Sequence, residues 1–435
     1  MKVLVLGSGG REHAILWSLN KALGVALELY CVPGNAGIAE IARCKPISLT
    51  DHSGLIELVK SEAIDLTIVG PEAPLADGIV DEFERKGLAI VGPSQAASRL
   101  ESSKAFAKDF MARHRIPTAD YRVVRSAGEA EEILRGGAFG PASSRTVVKA
   151  DGLAAGKGVI VANSRAEAEE SARMLMSGEL VGPEAARQVV IEEALYGTEA
   201  SLLLFADGRD YALMPPARDH KCIGENDMGP NTGGMGAVTG TSILEVVTLQ
   251  RVVREVVEPT LAGARAEGFP FRGVLFLGLM LTADGPKLLE FNVRMGDPET
   301  QAILVRLKTS LLDIFEGIRT GRLRDVKVEW TNDSSACVVL ASQGYPAQYN
   351  VDVPIEGLNG VAALEDVTVF HAGTKKSEAG QLVTAGGRVL GVTARGETLE
   401  KALGHCYKAV ELIKWEGMQY RRDIGKFREP TVQCK

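Results

Sequence analysis

The sequence has few cysteines, no long apolar run and no excess of positive charge. Its six cysteines are scattered over 435 residues without a Cys-x-x-Cys pair, which argues against a disulfide framework or a zinc site and favours reduced thiols. No apolar run approaches the ~20 residues that a membrane-spanning helix needs, and the N-terminus lacks a signal-peptide cleavage site. The net charge of -7 argues against a nucleic-acid partner. We therefore expect a cytoplasmic protein that binds neither nucleic acid nor membrane.

Two common nucleotide-binding signatures are also missing. The glycine-rich stretch Gly152 to Gly158 contains Gly156-Lys157-Gly158, so no hydroxyl residue follows the lysine as the Walker motif requires. Near the N-terminus, Gly7-Ser8-Gly9 is followed by Gly10-Arg11-Glu12, which places glutamate where the dinucleotide fingerprint requires glycine. A different nucleotide-binding architecture is indicated.

A glycine-rich loop between two lysines is the most informative feature that is present. It runs from Lys149 to Val159 and follows the β-branched run Thr146-Val147-Val148. Small residues let backbone N–H groups approach phosphate oxygens, and Lys149 and Lys157 add positive charge. The loop therefore predicts a polyphosphate site.

The length and periodicity predict several compact units. A chain of 435 residues exceeds what one core usually supports. Continuous apolar strands alternate with helical patterns over the first hundred residues, which predicts a doubly wound parallel sheet. The expected strands are 3–6, 27–32, 66–69 and 88–91, and helices are expected later over 165–176 and 299–312.

Acidic and amide side chains follow two later strands. Glu192 and Glu193 end an apolar run, and Glu290 and Asn292 share one face of a strand at period two, with Arg294 one step further. Carboxylate and amide oxygens on neighbouring same-face positions suit a hard cation such as Mg²⁺, with nucleotide phosphates completing its shell. The pattern predicts a metal–nucleotide site beside an arginine.

Each of these features also has an ordinary structural interpretation. Lys157 can be solvated, Glu192-Glu193 can be a charged strand end, and Glu290 to Arg294 can be the polar side of an amphipathic strand. Asp297 can act as the N-cap of a helix with Pro298 at its first position. The ordinary interpretations do not explain why a phosphate loop, an acidic strand end and a metal-type strand follow one another in this order.

The order of these motifs resembles the ATP-grasp superfamily, whose members join a carboxylate to an amine through an acyl phosphate. More closely, the chain resembles the phosphoribosylamine-glycine ligase family over residues 7 to beyond 370. The motifs that carry this resemblance are Gly9-Gly10-Arg11-Glu12-His13-Ala14, Pro33-Gly34-Asn35-Ala36-Gly37, Gly70-Pro71-Glu72-Ala73-Pro74-Leu75, Ala150 to Val159, Asp219-His220-Lys221, Gly229 to Ala237, Glu290 to Glu299 and Phe370-His371-Ala372-Gly373-Thr374.

The resemblance implies a set of functional residues. ATP would be held by Lys104, Lys149, Gly156, Lys157, Gly158, Val159, Glu192, Glu193, Leu195 and Glu199, and Mg²⁺ or Mn²⁺ by Glu290 and Asn292. The substrates would be held by Gly10, Arg11, Glu72, Asp219, Lys221, Arg294, Gly296 and Asp297, with Lys149, Arg294 and Asp297 as catalytic residues. Many ATP-grasp members carry an acidic metal ligand on the preceding strand, where this chain has Leu277-Gly278-Leu279. The resemblance therefore does not specify a second metal ion.

The resemblance also implies an α/β fold of four parts. These are an N-terminal substrate-binding domain with a doubly wound parallel sheet (1–102), a lid with the helix that leads into it (103–193), a central α+β domain (194–327) and a small C-terminal α+β domain (328–435). The implied reaction joins glycine to 5-phosphoribosylamine at the expense of ATP, in a monomer or weak dimer. Three alternatives stay open: an ATP-grasp ligase of purine synthesis that uses formate or bicarbonate, a nucleotide-binding regulator without turnover, and a moonlighting or fused scaffold role.

Overall fold

The structure is a computed structural model that describes residues 1–21, 26–154, 158–240, 242–427 and 431–432. The predicted ATP-binding residues Gly156 and Lys157 lie outside the described residues.

The N-terminal part is the predicted doubly wound parallel sheet. Its strand order is β3-β2-β1-β4-β5, and all neighbouring strands run parallel. In β1, Val3 and Val5 pack into one hydrophobic cluster and Leu4 and Leu6 into another, so helices cover both faces. Its elements are β1 (Lys2–Gly7), α1 (Gly10–Asn20), β2 (Glu28–Pro33), β3 (Arg43–Cys44), α2 (His52–Ser61), β4 (Leu66–Val69), α3 (Glu72–Ala76), α4 (Ile79–Arg85), β5 (Ile90–Val91) and α5 (Gln95–Ser102).

The lid is an antiparallel sheet with two helices on it. Its strand order is β6-β9-β7-β8, and small apolar residues of the helices, such as Ala130 and Ala168, pack on the sheet. The glycine-rich loop connects β7 to β8 along the chain, so its described residues on either side, next to the ends of these strands, lie at one end of the sheet. The elements are α6 (Lys104–Arg113), β6 (Tyr121–Val124), α7 (Ala127–Arg135), β7 (Thr146–Ala150), β8 (Val159–Ala162), α8 (Arg165–Met176) and β9 (Val189–Glu193).

The central part is organised around a long buried strand, β10. This strand pairs with β16 over ten residues, and β16 pairs in turn with β17, which carries the predicted metal ligands. The elements are β10 (Tyr196–Asp207), β11 (Tyr211–Leu213), β12 (Ala217–Asp219), β13 (Cys222–Gly224), β14 (Met228–Asn231), β15 (Gly236–Thr239), α9 (Val246–Val252), α10 (Glu258–Ala266), β16 (Arg272–Thr282), β17 (Gly285–Asn292), α11 (Glu299–Leu304) and α12 (Leu311–Thr320). A π-helical stretch over Val253–Val257 joins α9 to α10. None of the helices in the described part of the chain is long and apolar enough to cross a bilayer.

The C-terminal part continues the central sheet instead of forming a separate one. Strand β18 pairs with β15 and then with β22, so the order runs β17-β16-β10-β12-β15-β18-β22-β19. The helix α14 packs on this extension through Ala402, Cys406 and Val410. The elements are β18 (Ser334–Ala341), α13 (Leu358–Val361), β19 (Val367–His371), β20 (Thr374–Lys376), β21 (Leu382–Thr384), β22 (Arg388–Gly396), α14 (Leu399–Val410) and β23 (Thr431–Val432).

One predicted helix was wrong. The sequence predicted a single helix over 299–312, whereas the chain forms α11 and α12 with a break between them. In the break, Leu307 makes an isolated antiparallel bridge with Trp330, and Ser310 acts as a new N-cap by accepting a hydrogen bond from the Asp313 backbone N–H at 3.3 Å. The apolar periodicity continues across the break because both helices face the same core, so it did not reveal the break.

We expect this cap to control the local stability of α12. Ser310→Ala should lower the stability of the first helical turn by about 1 kcal/mol, because the Asp313 N–H loses its acceptor. Hydrogen exchange at the first amides of α12 should then accelerate roughly fivefold. The control is Ser310→Asp, which restores an acceptor and should exchange like the natural protein; unchanged exchange in Ser310→Ala would contradict the role of the cap.

Candidate active site

A polar cavity of about 490 Å³ lies where the N-terminal sheet, the lid, β17 and the C-terminal part meet. It opens beyond the carboxyl ends of parallel strands, where α/β proteins bind ligands. The structure brings many of the predicted residues to its wall. These are Arg11, Glu72, Lys104, Lys149, Gly158, Val159, Glu192, Lys221, Glu290, Asn292, Arg294 and Asp297.

The other described residues of the prediction lie outside the cavity lining. Gly10 is buried at the start of α1, and Gly296 precedes α11. Glu193 turns towards Lys287, whose Nζ lies 3.2 Å from its Oε1, and Leu195 packs against Leu289. The remaining two are Glu199 in β10 and Asp219 in β12.

On the lid side, one buried carboxylate lies between two buried ammonium groups. Glu192 is fully buried, with Lys149 Nζ 3.0 Å from its Oε1 and Lys108 Nζ 3.0 Å from its Oε2. Burial raises the pKa of Glu192, but the two lysines outweigh it and hold the pKa below its usual value. Lys104 donates to the Gly152 carbonyl at 3.1 Å, and burial lowers its pKa. Lys104, Lys108 and Lys149 therefore outnumber Glu192 within this group of side chains.

Opposite the lid, Arg294 joins three elements. Its Nη2 lies 2.9 Å from Glu101 Oε1 and 3.0 Å from Asn292 Oδ1, and its Nε lies 3.2 Å from Glu72 Oε2. Burial alone would raise the pKa of Glu72, but Arg294 and Arg11 outweigh it and hold the pKa below the usual value. In Glu101, by contrast, burial dominates and raises the pKa although Arg294 opposes it. Arg294 thus aligns the end of β17 with helices α3 and α5.

The prediction that Asp297 caps a helix was wrong: its carboxylate contacts Gln301 and Arg388 instead. Pro298, and not Asp297, holds the N-cap position of α11. The Asp297 carboxylate accepts from Gln301 Nε2 at 2.7 Å and pairs with Arg388 at 3.0 Å, while Arg388 also donates to the Asp297 and Gly233 carbonyls. Burial raises the pKa of Asp297, but Arg388 and Arg11 bring it below its usual value. The carboxylate is therefore held ionised in the cavity wall.

On the same side, Lys221 pairs with Asp219. Burial alone would lower the pKa of Lys221, but Asp219 and Glu299 raise it above its usual value. Lys221 therefore remains a cation at the cavity wall.

In the N-terminal part, the glycines around β1 make room for a buried carboxylate. Glu12 Oε2 accepts from the Gly9 N–H at 2.7 Å, and Glu12 Oε1 accepts from Arg11 Nε at 2.6 Å. A Cβ atom at Gly7 or Gly70 would lie 2.4 or 2.2 Å from the Glu12 side chain. The glycine cluster thus seats Glu12, which orients Arg11 along the cavity wall.

The cavity also includes residues that the sequence reasoning did not identify. Lys108 lies one helical turn after Lys104. Because residues four apart share a face of a helix, this spacing indicates that Lys108 lies on the same side of α6 as the predicted ATP-binding Lys104. Glu101, Tyr345 and Arg388 gave no such signal, since they approach from α5 and from the C-terminal part. Tyr345 Oη accepts from the Gly233 N–H at 3.0 Å.

Comparison with known proteins agrees with this architecture. Three family models match: the N domain of phosphoribosylglycinamide synthetase over residues 1–101, its ATP-grasp (A) domain over 102–300 and its C domain over 335–427. A phosphoribosylamine–glycine ligase of Xylella fastidiosa is 47% identical, with 100% of each chain covered. One of Caldanaerobacter subterraneus is 45% identical, covering 98% of this chain and 99% of the relative.

Solved structures show the same fold. The crystal structure of the Thermotoga maritima phosphoribosylamine–glycine ligase superposes with a TM-score of 0.81 at 35% identity, covering 97% of this chain and all of that one. The biotin carboxylase domain of a Hydrogenobacter thermophilus 2-oxoglutarate carboxylase, solved with MgADP, gives a TM-score of 0.70 at 16% identity, covering 96% and 91% of the chains. The latter likeness concerns the fold alone.

The antiparallel lid over a charged cavity at the end of β17, together with the match to the ATP-grasp (A) domain model, defines the chain as an ATP-grasp enzyme. Within that class, the chain belongs to the phosphoribosylglycinamide synthetase family of ligases. The resemblance found in the sequence is thereby confirmed.

Arg388 provides a test of how the cavity wall is held. Arg388→Met should destabilise the protein by about 2 kcal/mol, because the partly buried Asp297 carboxylate loses its main cation. The measurement is the free energy of unfolding in urea. The double variant R388M/D297N removes both charges and should recover part of this loss; equal destabilisation of both variants would show that the ion pair is not the cause.

Proposed function

We propose that the chain joins glycine to 5-phosphoribosylamine, forming glycinamide ribonucleotide, ADP and phosphate, the second step of de novo purine synthesis. The observation that carries the proposal is that one and the same cavity is lined by lysines of the ATP-grasp lid, by Glu290 and Asn292 of β17 and by Arg11 and Glu72 of the N-terminal domain. Relatives that align over the full chain bear the name of this activity.

The chemistry requires two displacements. A glycine carboxylate oxygen attacks the γ-phosphorus of ATP, and ADP leaves with the electrons of the broken P–O bond. The amine nitrogen of phosphoribosylamine then attacks the carbonyl carbon of glycyl phosphate, phosphate leaves, and the nitrogen loses a proton. Both steps depend on positioning and charge neutralisation, and on keeping water from the acyl phosphate.

The lid and β17 would hold the nucleotide. Lys104, Lys149, Gly158 and Val159 line the cavity beside the glycine-rich loop, and cations with close backbone N–H groups suit phosphate oxygens. On the family resemblance, we assign Gly156 and Lys157 to the phosphates of ATP. On the same ground, the adenosine part is assigned to Glu192, Glu193, Leu195 and Glu199.

Glu290 and Asn292 fit a divalent cation, Mg²⁺ or Mn²⁺. Both are oxygen donors on alternate positions of β17, and both line the cavity. A cation bound there would neutralise phosphate charge and act as a Lewis acid. Asn292 Oδ1 already accepts from Arg294 Nη2, so Arg294 lies where it can share in charge neutralisation.

The substrates would meet on the opposite side of the cavity. Arg11 offers a forked donor for the phosphoribosyl group beside Gly10 at the start of α1, and Glu72 lies beside Arg294. Asp219, Lys221, Arg294, Gly296 and Asp297 would receive glycine and the acyl phosphate. We further propose a cytoplasmic monomer or weak dimer, in keeping with free thiols at the described cysteines 31, 44, 222, 337 and 406.

The activity is tested by ADP release from Mg-ATP. We expect ADP and phosphate only when glycine and phosphoribosylamine are both present. An acyl phosphate formed without the amine would be lost to water, so the site should hold back phosphoryl transfer until the amine is bound. The amine is generated in the assay from ribose 5-phosphate and ammonia. Formate and bicarbonate serve as competing carboxyl substrates: turnover with either in place of glycine, or AMP and pyrophosphate as products, would contradict the proposal. ADP binding without turnover would favour a regulator.

The metal role of Glu290 is tested by substitution. Glu290→Ala should lower kcat by at least about a hundredfold, the order of magnitude expected when a Lewis-acid cation loses a carboxylate ligand. The matched control is Asp284→Ala, which removes an exposed carboxylate from the turn at the far end of the same β16–β17 hairpin and should leave kcat unchanged. Near-normal activity of Glu290→Ala at low Mg²⁺ would rule out the assignment.

A further inference from the structure

Lys108 is a buried lysine at the active-site cavity for which the proposed chemistry has no role. It lies in α6, one turn after Lys104, and only 2% of its surface is exposed. Its Nζ donates to Thr118 Oγ1 at 2.7 Å and lies 3.0 Å from Glu192 Oε2. A buried ammonium group is costly, so its retention at a cavity wall calls for an explanation.

Lys108 changes the charge balance around Glu192. Glu192 has one negative charge, and its two oxygens each face a different ammonium group, that of Lys108 and that of Lys149. If Lys108 were absent, Lys149 would be the one ion-pair partner of Glu192 left among the described residues, and the pair would be close to neutral. With Lys108 present, the three groups together keep one positive charge next to the glycine-rich loop.

Lys108 is also linked by hydrogen bonds to β17. Thr118 Oγ1, which accepts from Lys108, donates in turn to the Leu288 carbonyl at 2.6 Å. Leu288 lies in β17, two residues before Glu290. Lys108 therefore connects the lid strand β9, through Glu192, to the strand that carries the proposed metal ligands.

We infer that Lys108 is a positioning residue for nucleotide binding: it holds one oxygen of Glu192 so that the other orients Lys149, and it balances the charge of Glu192 so that Lys149 remains an effective cation towards nucleotide phosphate. The inference rests on the proposed ATP-dependent function. It predicts that Lys108 acts through Glu192 and affects nucleotide binding more than binding of the other substrates.

A purely structural role for Lys108 makes a different prediction. If the lysine only filled space and stabilised the lid, its loss would have the same effect whether or not Glu192 carried a charge. A double-mutant cycle separates the two roles, because it measures whether the effect of one residue depends on the other.

The experiment measures the affinity of the full-length protein for Mg-ADP by isothermal titration calorimetry. The variants are Lys108→Met, Glu192→Gln and the double variant K108M/E192Q. Methionine retains most of the apolar stem without the charge, and the double variant removes both charges together, which limits the cost of an unpaired buried group. The control is Arg113→Met, which removes an exposed ion pair with Glu267 from the same helix and should bind Mg-ADP normally.

We expect Lys108→Met to weaken Mg-ADP binding about tenfold to a hundredfold, and the double variant to bind within about threefold of Glu192→Gln. The KM values for glycine and phosphoribosylamine should change far less than the KM for ATP. An equal loss in both backgrounds, an equal rise of all three KM values, or unchanged affinity in Lys108→Met would each overturn the inference.

If Lys108→Met does not fold, the comparison of Glu192→Gln with the double variant carries the test, and a tenfold difference between these two would overturn the inference. Because binding of Mg-ADP does not require turnover, the comparison is also independent of the glycine ligase assay, so failure of the proposed function and failure of this inference are distinguishable.

Discussion

The three-way contact of Arg294 is the interaction on which the arrangement of the active site depends. Its guanidinium group binds Glu72 from the N-terminal domain, Glu101 at the end of that domain and Asn292 at the end of β17. Each partner lies on a different element, so this one side chain sets the position of the nucleotide-binding strand relative to the parallel sheet. A metal ion on Asn292 Oδ1 would have to share that oxygen with Arg294 or displace it, which couples the two halves of the cavity electrostatically.

Much of the fold could be predicted because its signals are local. Strand β4 and helix α8 have the expected boundaries, 66–69 and 165–176, since a continuous apolar run and a capped amphipathic pattern each specify one kind of element. The break between α11 and α12 is only partly local: the N-cap Ser310 is a local signal for a new helix start, whereas the contact between Leu307 and Trp330 joins residues 23 positions apart. The pairing of β15 with β18 is likewise a long-range property that no local pattern reports.

The same distinction holds for the active site. The glycine-rich loop and the alternation of Glu290 and Asn292 are short-range patterns, and the structure brings Glu290, Asn292 and most of the described residues of the loop to one cavity. The partners of the predicted residues were not predictable from spacing: Arg388 reaches Asp297 from 91 positions away, and Glu101 reaches Arg294 from a helix in another part of the fold. Asp297-Pro298 has the sequence of a helix start, but the carboxylate is drawn to Gln301 and Arg388 instead of capping α11.

The shared sheet has a consequence for how the C-terminal part relates to the rest of the chain. Strand β15 pairs with β18 from Gly236 to Thr239, and Met235 and Ala237 are covered by Cys337, Val339 and Ala341. A chain that ended before β18 would leave β15 as an open edge strand with an uncovered apolar patch, which is a template for aggregation. The C-terminal part is therefore not a removable module of the chain.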